Sequence, residues 1–167
     1  LISLKSSGLH SNGFSLVREL IKRKKINLKN KIGNKTIGEV ILKPTKIYVR
    51  EILELQKKIN IKAIAHITGG GLIGNLERII PKNMKITLFK NTLFNFHKKL
   101  FLTLKKASNL SDIEMLETFN CGNGMVLVVN KDDLNETEKN LIKLRLSYKV
   151  IGKFSSLKKG ERKITIE

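Results

Sequence analysis

With 167 residues, 41% of them hydrophobic and 5% aromatic, the chain is long enough for one ordinary domain with a real core, and no apolar run approaches the roughly 20 residues that a membrane helix needs. A single cysteine, Cys121, excludes an intrachain disulfide and a cysteine-rich zinc site and fits a reducing, cytoplasmic setting; His10, His66 and His97 lack metal-ligand spacing, so no metal site is expected. The formal net charge of +19 implies weak, salt-sensitive adhesion to polyanions but not specific nucleic-acid recognition, because the charge is mostly Lys spread along the chain and no aromatic-and-basic stripe is present.

In chain order, Leu1-Ile2-Ser3-Leu4 reads as a strand that feeds the octet Ser6-Ser7-Gly8-Leu9-His10-Ser11-Asn12-Gly13. A chain that opens inside a strand and without Met is expected to be part of a longer polypeptide. Phe14, Leu16, Val17, Leu20 and Ile21 give a helix, with Ser11 or Asn12 as its cap and Lys22 to Lys25 at its cationic end. Asn27 to Glu39 reads as a polar surface excursion. Pro44 then bends the chain before a helix through Ile47, Val49, Ile52, Leu53 and Leu55.

A short buried segment, Ile61 to Ile67, runs into Thr68-Gly69-Gly70-Gly71, and helical spacing resumes from Leu72 to Ile80 until Pro81. Lys85 to Phe89 predicts a strand, and Phe94 to Leu104 a helix with His97 in its middle. Ser111-Asp112-Ile113-Glu114 predicts a capping box for a helix through Phe119. Gly124 to Val129 predicts a strand, Asp132 or Asp133 opens a helix through Leu146, and Tyr148 to Phe154 and Arg162 to Ile166 close the chain as two strands. Helices and strands mix without strict alternation, so the expected fold is a single α+β domain over residues 1–167, a mixed β-sheet flanked by helices.

Three loops carry the chemistry. The octet between a strand and a helix N-terminus supplies unpaired N–H groups, two glycines for close backbone approach, hydroxyls, an amide and His10, which suits a phosphate; the same residues also make a plain capped loop. The three glycines after His66, Ile67 and Thr68 serve either approach to a ligand or a sharp turn. In Asn120-Cys121-Gly122-Asn123-Gly124 the glycines suit a helix C-cap and a strand entry, and Cys121, with no basic neighbour to lower its pKa, reads as a small buried hydrophobe.

Taken together, Ser6 to Arg18, Pro44 to Val49, Ala65 to Gly71 and Thr118 to Met125 resemble, in order and across essentially the whole chain, the C-terminal half of aminoimidazole ribonucleotide synthetases, the cyclo-ligases of de novo purine biosynthesis. The resemblance implies ATP-dependent closure of the imidazole ring of formylglycinamidine ribonucleotide with release of ADP and phosphate. It also implies Mg²⁺ with the ATP, both held mainly by an N-terminal half that this chain lacks, a site in the cleft between the halves, a homodimer for the full-length protein, and no activity for this chain alone. Carried onto this sequence, Ser7, Gly8, His10, Ser11 and Asn12 form one wall, and His66, Thr68, Gly69, Gly70 and Gly71 a second. Asn120 and Gly122 form a supporting loop counted with the substrate- and phosphate-binding set, and His10 and His66 are the candidates for proton transfer.

The chain departs from the family pattern at Gly74, where a Glu is common, at His97-Lys98, where a Trp-Pro pair is common, and at Lys46, where Arg is common; Asn75 and Arg78 keep their types. Two alternatives remain at this level. One is a related ATP-dependent enzyme such as formylglycinamidine ribonucleotide synthetase or selenophosphate synthetase; the other is a non-catalytic basic nucleic-acid-binding module.

Overall fold

A computed structural model describes residues 1–167. The first strand, β1 (Ile2–Lys5), enters the octet, and α1 (Phe14–Lys22) leaves it. A two-residue hairpin, β2 (Lys31–Ile32) and β3 (Lys35–Thr36), leads into α2 (Ile37–Ile41), and α3 (Val49–Gln56) follows. Then come β4 (Ala63–His66), α4 (Gly71–Glu77), β5 (Met84–Leu88), α5 (Lys98–Ser108), α6 (Asp112–Thr118) and β6 (Asn123–Val128). The chain closes with α7 (Leu134–Lys143), β7 (Tyr148–Val150), β8 (Gly152–Ser156) and β9 (Ile164–Ile166).

The α+β expectation holds, with the strands divided between two main sheets. The larger is wholly antiparallel in the order β4-β6-β1-β7, and a three-stranded sheet, β8-β5-β9, is the mixed one, with β9 parallel and β8 antiparallel to β5. Because side chains alternate along a strand, the larger sheet has two apolar faces. Ile2, Leu4 and Leu127 point to a smaller core closed by Ile52 and Leu55 of α3 and Leu141 of α7. Leu1, Ala65 and Val126 point to a larger core that also takes α1, α4, α5, α6 and Ile86 and Leu88 of β5.

The single strand expected from Tyr148 to Phe154 is two strands in different sheets. At Ile151 the chain passes from one sheet to the other, its N–H bonded to the Leu1 carbonyl at 2.9 Å and its carbonyl accepting from Phe89 N–H at 2.8 Å. Gly152 follows because any Cβ there would strike the Thr87 carbonyl. The polar excursion expected from Asn27 to Glu39 contains the hairpin and the start of α2, whose capping box joins Thr36 and Glu39 and which buries Ile37 and Ile41. His97 is not in mid-helix: it precedes α5 with φ +51°, and the helix runs later than expected, to Ser108. At α1 the cap position is Gly13 with φ +68°, not Ser11 or Asn12.

Strand direction places the functional loops. β1 and β4 both run antiparallel to β6, with Lys5 opposite Asn123 and His66 opposite Met125, so the ends of β1 and β4 and the start of β6 share one edge of the sheet. Phe119 is fully buried and edge-on to Phe101 at 6.2 Å, and a Cβ on Gly13 would collide with its ring. Phe119→Ala is therefore expected to cost about 3–5 kcal/mol of stability in urea denaturation, as truncation of a buried aromatic does.

Candidate active-site wall

The octet is held by hydrogen bonds from its own residues and from distant parts of the chain. Ser6 N–H donates to the Gly122 carbonyl at 2.8 Å, and the Ser6 hydroxyl donates to the Gly8 carbonyl at 2.8 Å. Asn120, fully buried, donates from Nδ2 to the Gly8 and Leu9 carbonyls at 3.0 and 2.9 Å and accepts from Gly122 N–H at 2.7 Å. Asn12, also fully buried, donates to the Leu9 and Ile67 carbonyls, both at 3.2 Å, which ties the octet to the segment leading into the three glycines. All three loops singled out in the sequence thus meet at one place.

A second strap crosses the octet from Pro44 to Tyr48. The Ser7 hydroxyl donates to the Pro44 carbonyl, and Nε2 of His10 accepts from Ser7 N–H at 2.9 Å and from Lys46 N–H at 3.4 Å. The Tyr48 hydroxyl donates to the Lys5 carbonyl at 2.8 Å. Its ring lies edge-on to His10 at 6.2 Å and to His66 at 6.3 Å, while His10 and His66 are 6.4 Å apart, so the three rings form a triangle. Lys46 Nζ sits 5.0 Å from the centre of the Tyr48 ring. Gly124 lies under the triangle, where a Cβ would collide with Tyr48 and His10.

Burial holds His10 down to about 4 from its ordinary 6.5, with His66, His97 and Lys46 adding repulsion. His97 is lowered in the same direction by burial, although its Nε2 lies 2.8 Å from the Ser6 carbonyl. Two buried polar atoms in the octet, His10 Nδ1 and Asn12 Oδ1, have no partner within the chain.

The three glycines divide by cause. Gly70 adopts φ +94° at the turn, and Gly71, at φ +63°, lies so close to the Leu116 and Glu117 backbone of α6 that a Cβ cannot fit. For these two the sharp-turn account suffices. Gly69 has no positive φ, a methyl group in its place would meet no atom within 4 Å, and it is exposed. Asn75, one turn into α4 and 3% exposed, holds this loop: its Nδ2 donates to the carbonyls of Thr68, Gly69 and Gly71 at 3.0, 3.2 and 2.7 Å. Its Oδ1 accepts from the Thr68 hydroxyl at 3.3 Å and from Arg78 at 3.2 Å.

Among the residues predicted from sequence, Ser11, His66, Gly69 and Gly70 are exposed, and Ser7 and Thr68 are half-buried. Gly8, His10, Asn12, Gly71, Asn120 and Gly122 are buried and frame the surface from behind. Tyr48, Lys46, Asn75 and His97 are additions that the sequence reading does not place in the site. Asn75 has a signal, a polar residue one helical turn after Gly71 on a face otherwise apolar. Cys121 is buried with its thiol donating to the Met115 carbonyl, and burial pushes its pKa up, as a small buried hydrophobe requires. No group of three His, Cys, Asp or Glu side chains is arranged to hold a metal ion.

A family profile described as "AIR synthase related protein, C-terminal domain" matches residues 1–164. A phosphoribosylformylglycinamidine cyclo-ligase from Ligilactobacillus salivarius is 45% identical over 99% of this chain and 49% of its own length. One from Acetivibrio thermocellus is 40% identical over 96% of this chain and 47% of its own length. The trifunctional purine biosynthetic protein adenosine-3 of Bos taurus is 37% identical over the whole chain, which matches 17% of that protein. The chain thus spans about half the length of the cyclo-ligases it matches.

Two outcomes follow from this geometry. Gly71→Ala is expected to destabilise the fold by more than about 2 kcal/mol, from strain and collision together, while Gly69→Ala leaves the melting temperature unchanged. Because the folded-state pKa of His10 lies below its unfolded value, its contribution to stability is complete above pH 6.5 and is lost as pH falls toward about 4. At roughly 1.4 kcal/mol per pH unit the upper limit is about 3 kcal/mol, and urea denaturation between pH 7 and 4 should show a smaller loss in His10→Gln than in the unsubstituted protein.

Proposed function

The chain belongs to the family of AIR synthase related proteins as its C-terminal domain, and from that premise we propose that it supplies one wall of an ATP-dependent site that closes the imidazole ring of formylglycinamidine ribonucleotide. The observation that carries this reading is the meeting of the octet, the His66–Gly71 segment and the Asn120–Gly124 loop at one edge of the sheet. In the cyclo-ligase relatives the substrate is written in the protein's name, and four separate motifs of this chain resemble that family's pattern.

In this reading the ribonucleotide phosphate lies against Ser11 and the first turn of α1, whose leading N–H groups have no side-chain cap. Ser7, Gly8 and Asn12 shape the surface beneath it. Thr68, Gly69 and Gly70 form the second wall, with Gly71 packing it on α6, and Asn120 and Gly122 support the octet from below. ATP transfers its terminal phosphoryl group to the formyl oxygen, which turns a poor leaving group into phosphate, and an internal amine then closes the ring.

The side chains assigned to this wall are hydroxyls, amides and imidazoles, a donor set that suits Mg²⁺ poorly, and no group of three His, Cys, Asp or Glu side chains is arranged to hold the nucleotide's ion. That ion, with most of the ATP contacts, is assigned to an N-terminal half of the same enzyme. The complete protein is proposed to be a cytoplasmic homodimer. No helix of this chain is long and apolar enough to cross a membrane.

The 167-residue chain alone is expected to show no turnover of formylglycinamidine ribonucleotide with ATP, and the polypeptide that joins it to an N-terminal half is expected to release one phosphate per ring closed. Phosphate release and product absorbance measure both. Failure of the joined polypeptide to turn over would overturn the reading, as would turnover by the isolated chain for the division of labour.

A further inference from the structure

His10 and His66 are equivalent in the sequence as proton-transfer candidates, but the structure separates them. Building on the function proposed above, we propose that His66 takes the proton released in ring closure and that His10 is a positioning residue that stays neutral and never contacts the reacting atoms.

The argument is one of hydrogen-bond valence. Nε2 of His10 faces two main-chain N–H groups, Ser7 at 2.9 Å and Lys46 at 3.4 Å. An amide N–H only donates, so Nε2 must be the unprotonated nitrogen and Nδ1 carries the hydrogen. Turning the ring over would put a C–H against both donors, so they fix its orientation as well. Protonation at Nε2 would set N–H against N–H and release both the octet and the strap. The other nitrogen, Nδ1, is closed off from solvent and has no partner, in a residue that is 5% exposed. Neither nitrogen of His10 can therefore exchange a proton with a ligand while the loop keeps its shape.

His97 is engaged in a similar way, with Nε2 at 2.8 Å from the Ser6 carbonyl. Two of the three histidines thus hold consecutive residues of the octet, one by accepting from Ser7 and one by donating to Ser6. His66 is the exception. It ends β4, is exposed, and its ring meets its neighbours only edge-on, His10 at 6.4 Å and Tyr48 at 6.3 Å. The titratable groups beside it are His10 and Tyr48; Lys46 lies over the Tyr48 ring and acts on His10, and Glu51 acts on Tyr48 from α3. His66 stands on the same edge as the exposed residues of both walls, with both ring nitrogens available.

In the step assigned to it, the amine nitrogen forms a C–N bond to the formyl carbon, whose oxygen already carries the phosphoryl group. The C–O bond breaks, phosphate leaves with the electron pair, and the nitrogen loses its proton to neutral His66, which passes it to water. Atoms and charge balance with no further reactant.

The test uses the polypeptide that joins this domain to its N-terminal half. Gln at position 10 still presents an oxygen that can accept from Ser7 and Lys46, so His10→Gln is expected to lose less kcat/KM than His66→Gln and, whatever the size of that loss, to keep the acid-side pH dependence. His66→Gln is expected to fall by about 10²- to 10⁴-fold and to lose that dependence. In ¹⁵N spectra of the 167-residue chain, His10 should appear as a single tautomer with the hydrogen on Nδ1 at pH 6. The assignment is overturned if the pH dependence is absent, survives His66→Gln or vanishes in His10→Gln, or if the spectrum shows His10 with its hydrogen on Nε2. Turnover that is intact but insensitive to His66 sinks only this assignment, whereas absence of turnover in the unsubstituted polypeptide sinks the function as well.

Discussion

The amide of Asn120 is the contact on which the arrangement of this surface depends. Its two N–H bonds reach the Gly8 and Leu9 carbonyls across more than a hundred residues of sequence, and its oxygen accepts from Gly122 within its own loop. Every polar atom of a fully buried side chain is thereby satisfied. A buried amide left half-paired costs about 1–3 kcal/mol, so the octet and the Asn120 loop are stable only together. Asn123 extends the same logic: it accepts from the Ser3 hydroxyl at 2.7 Å and donates to the Leu93 carbonyl at 3.1 Å. The sheet edge, the octet and the segment before α5 are stitched by two asparagines three residues apart.

Around that frame the domain separates rigidity from exposure. Apolar side chains on both faces of the larger sheet fix where β1, β4 and β6 end. Backbone handedness then shapes the loops: His10, Gly13, Gly70, Gly71, Cys121 and Gly122 all have positive φ. For the non-glycine residues this conformation is strained, and it persists because the surrounding hydrogen bonds over-determine it. The exposed groups, Ser11, His66, Gly69 and Gly70, stand on this stiff base. Such a surface is stiff and open on one side, as the site proposed above, completed by a second half, requires.

The ends of the site are legible in the sequence and its middle is obscure. Strand-loop-helix punctuation locates the octet and the three glycines, because apolar periodicity changes sharply on either side of each. The Ser111–Glu114 capping box is equally plain and is present, with Ser111 accepting from Glu114 N–H. The matching Thr36–Glu39 box is harder to see, because its helix is only five residues long and lies in a Lys- and Asn-rich stretch. What no local pattern can give is valence. Whether His10, Asn120 or Gly71 faces a ligand or the protein depends on main-chain partners, some of them tens of residues away, and main chain carries no sequence signal. The break at Ile151 is hidden for a related reason: a strand-like stretch such as Tyr148 to Phe154 looks the same whether it stays in one sheet or crosses to another.

The position of β1 has a consequence for how the polypeptide comes into being. This strand is the first element of the chain but an interior strand of its sheet, paired with β6 on one side and β7 on the other. Nearly all of its hydrogen bonds wait for residues beyond 122, so a ribosome must complete most of the domain before its opening strand has anything to pair with. Long-range closure of this kind slows folding and leaves an apolar segment uncovered meanwhile. The octet, whose bonds to Asn120 and Gly122 belong to the same long-range closure, takes its shape only once the chain has been made through those residues.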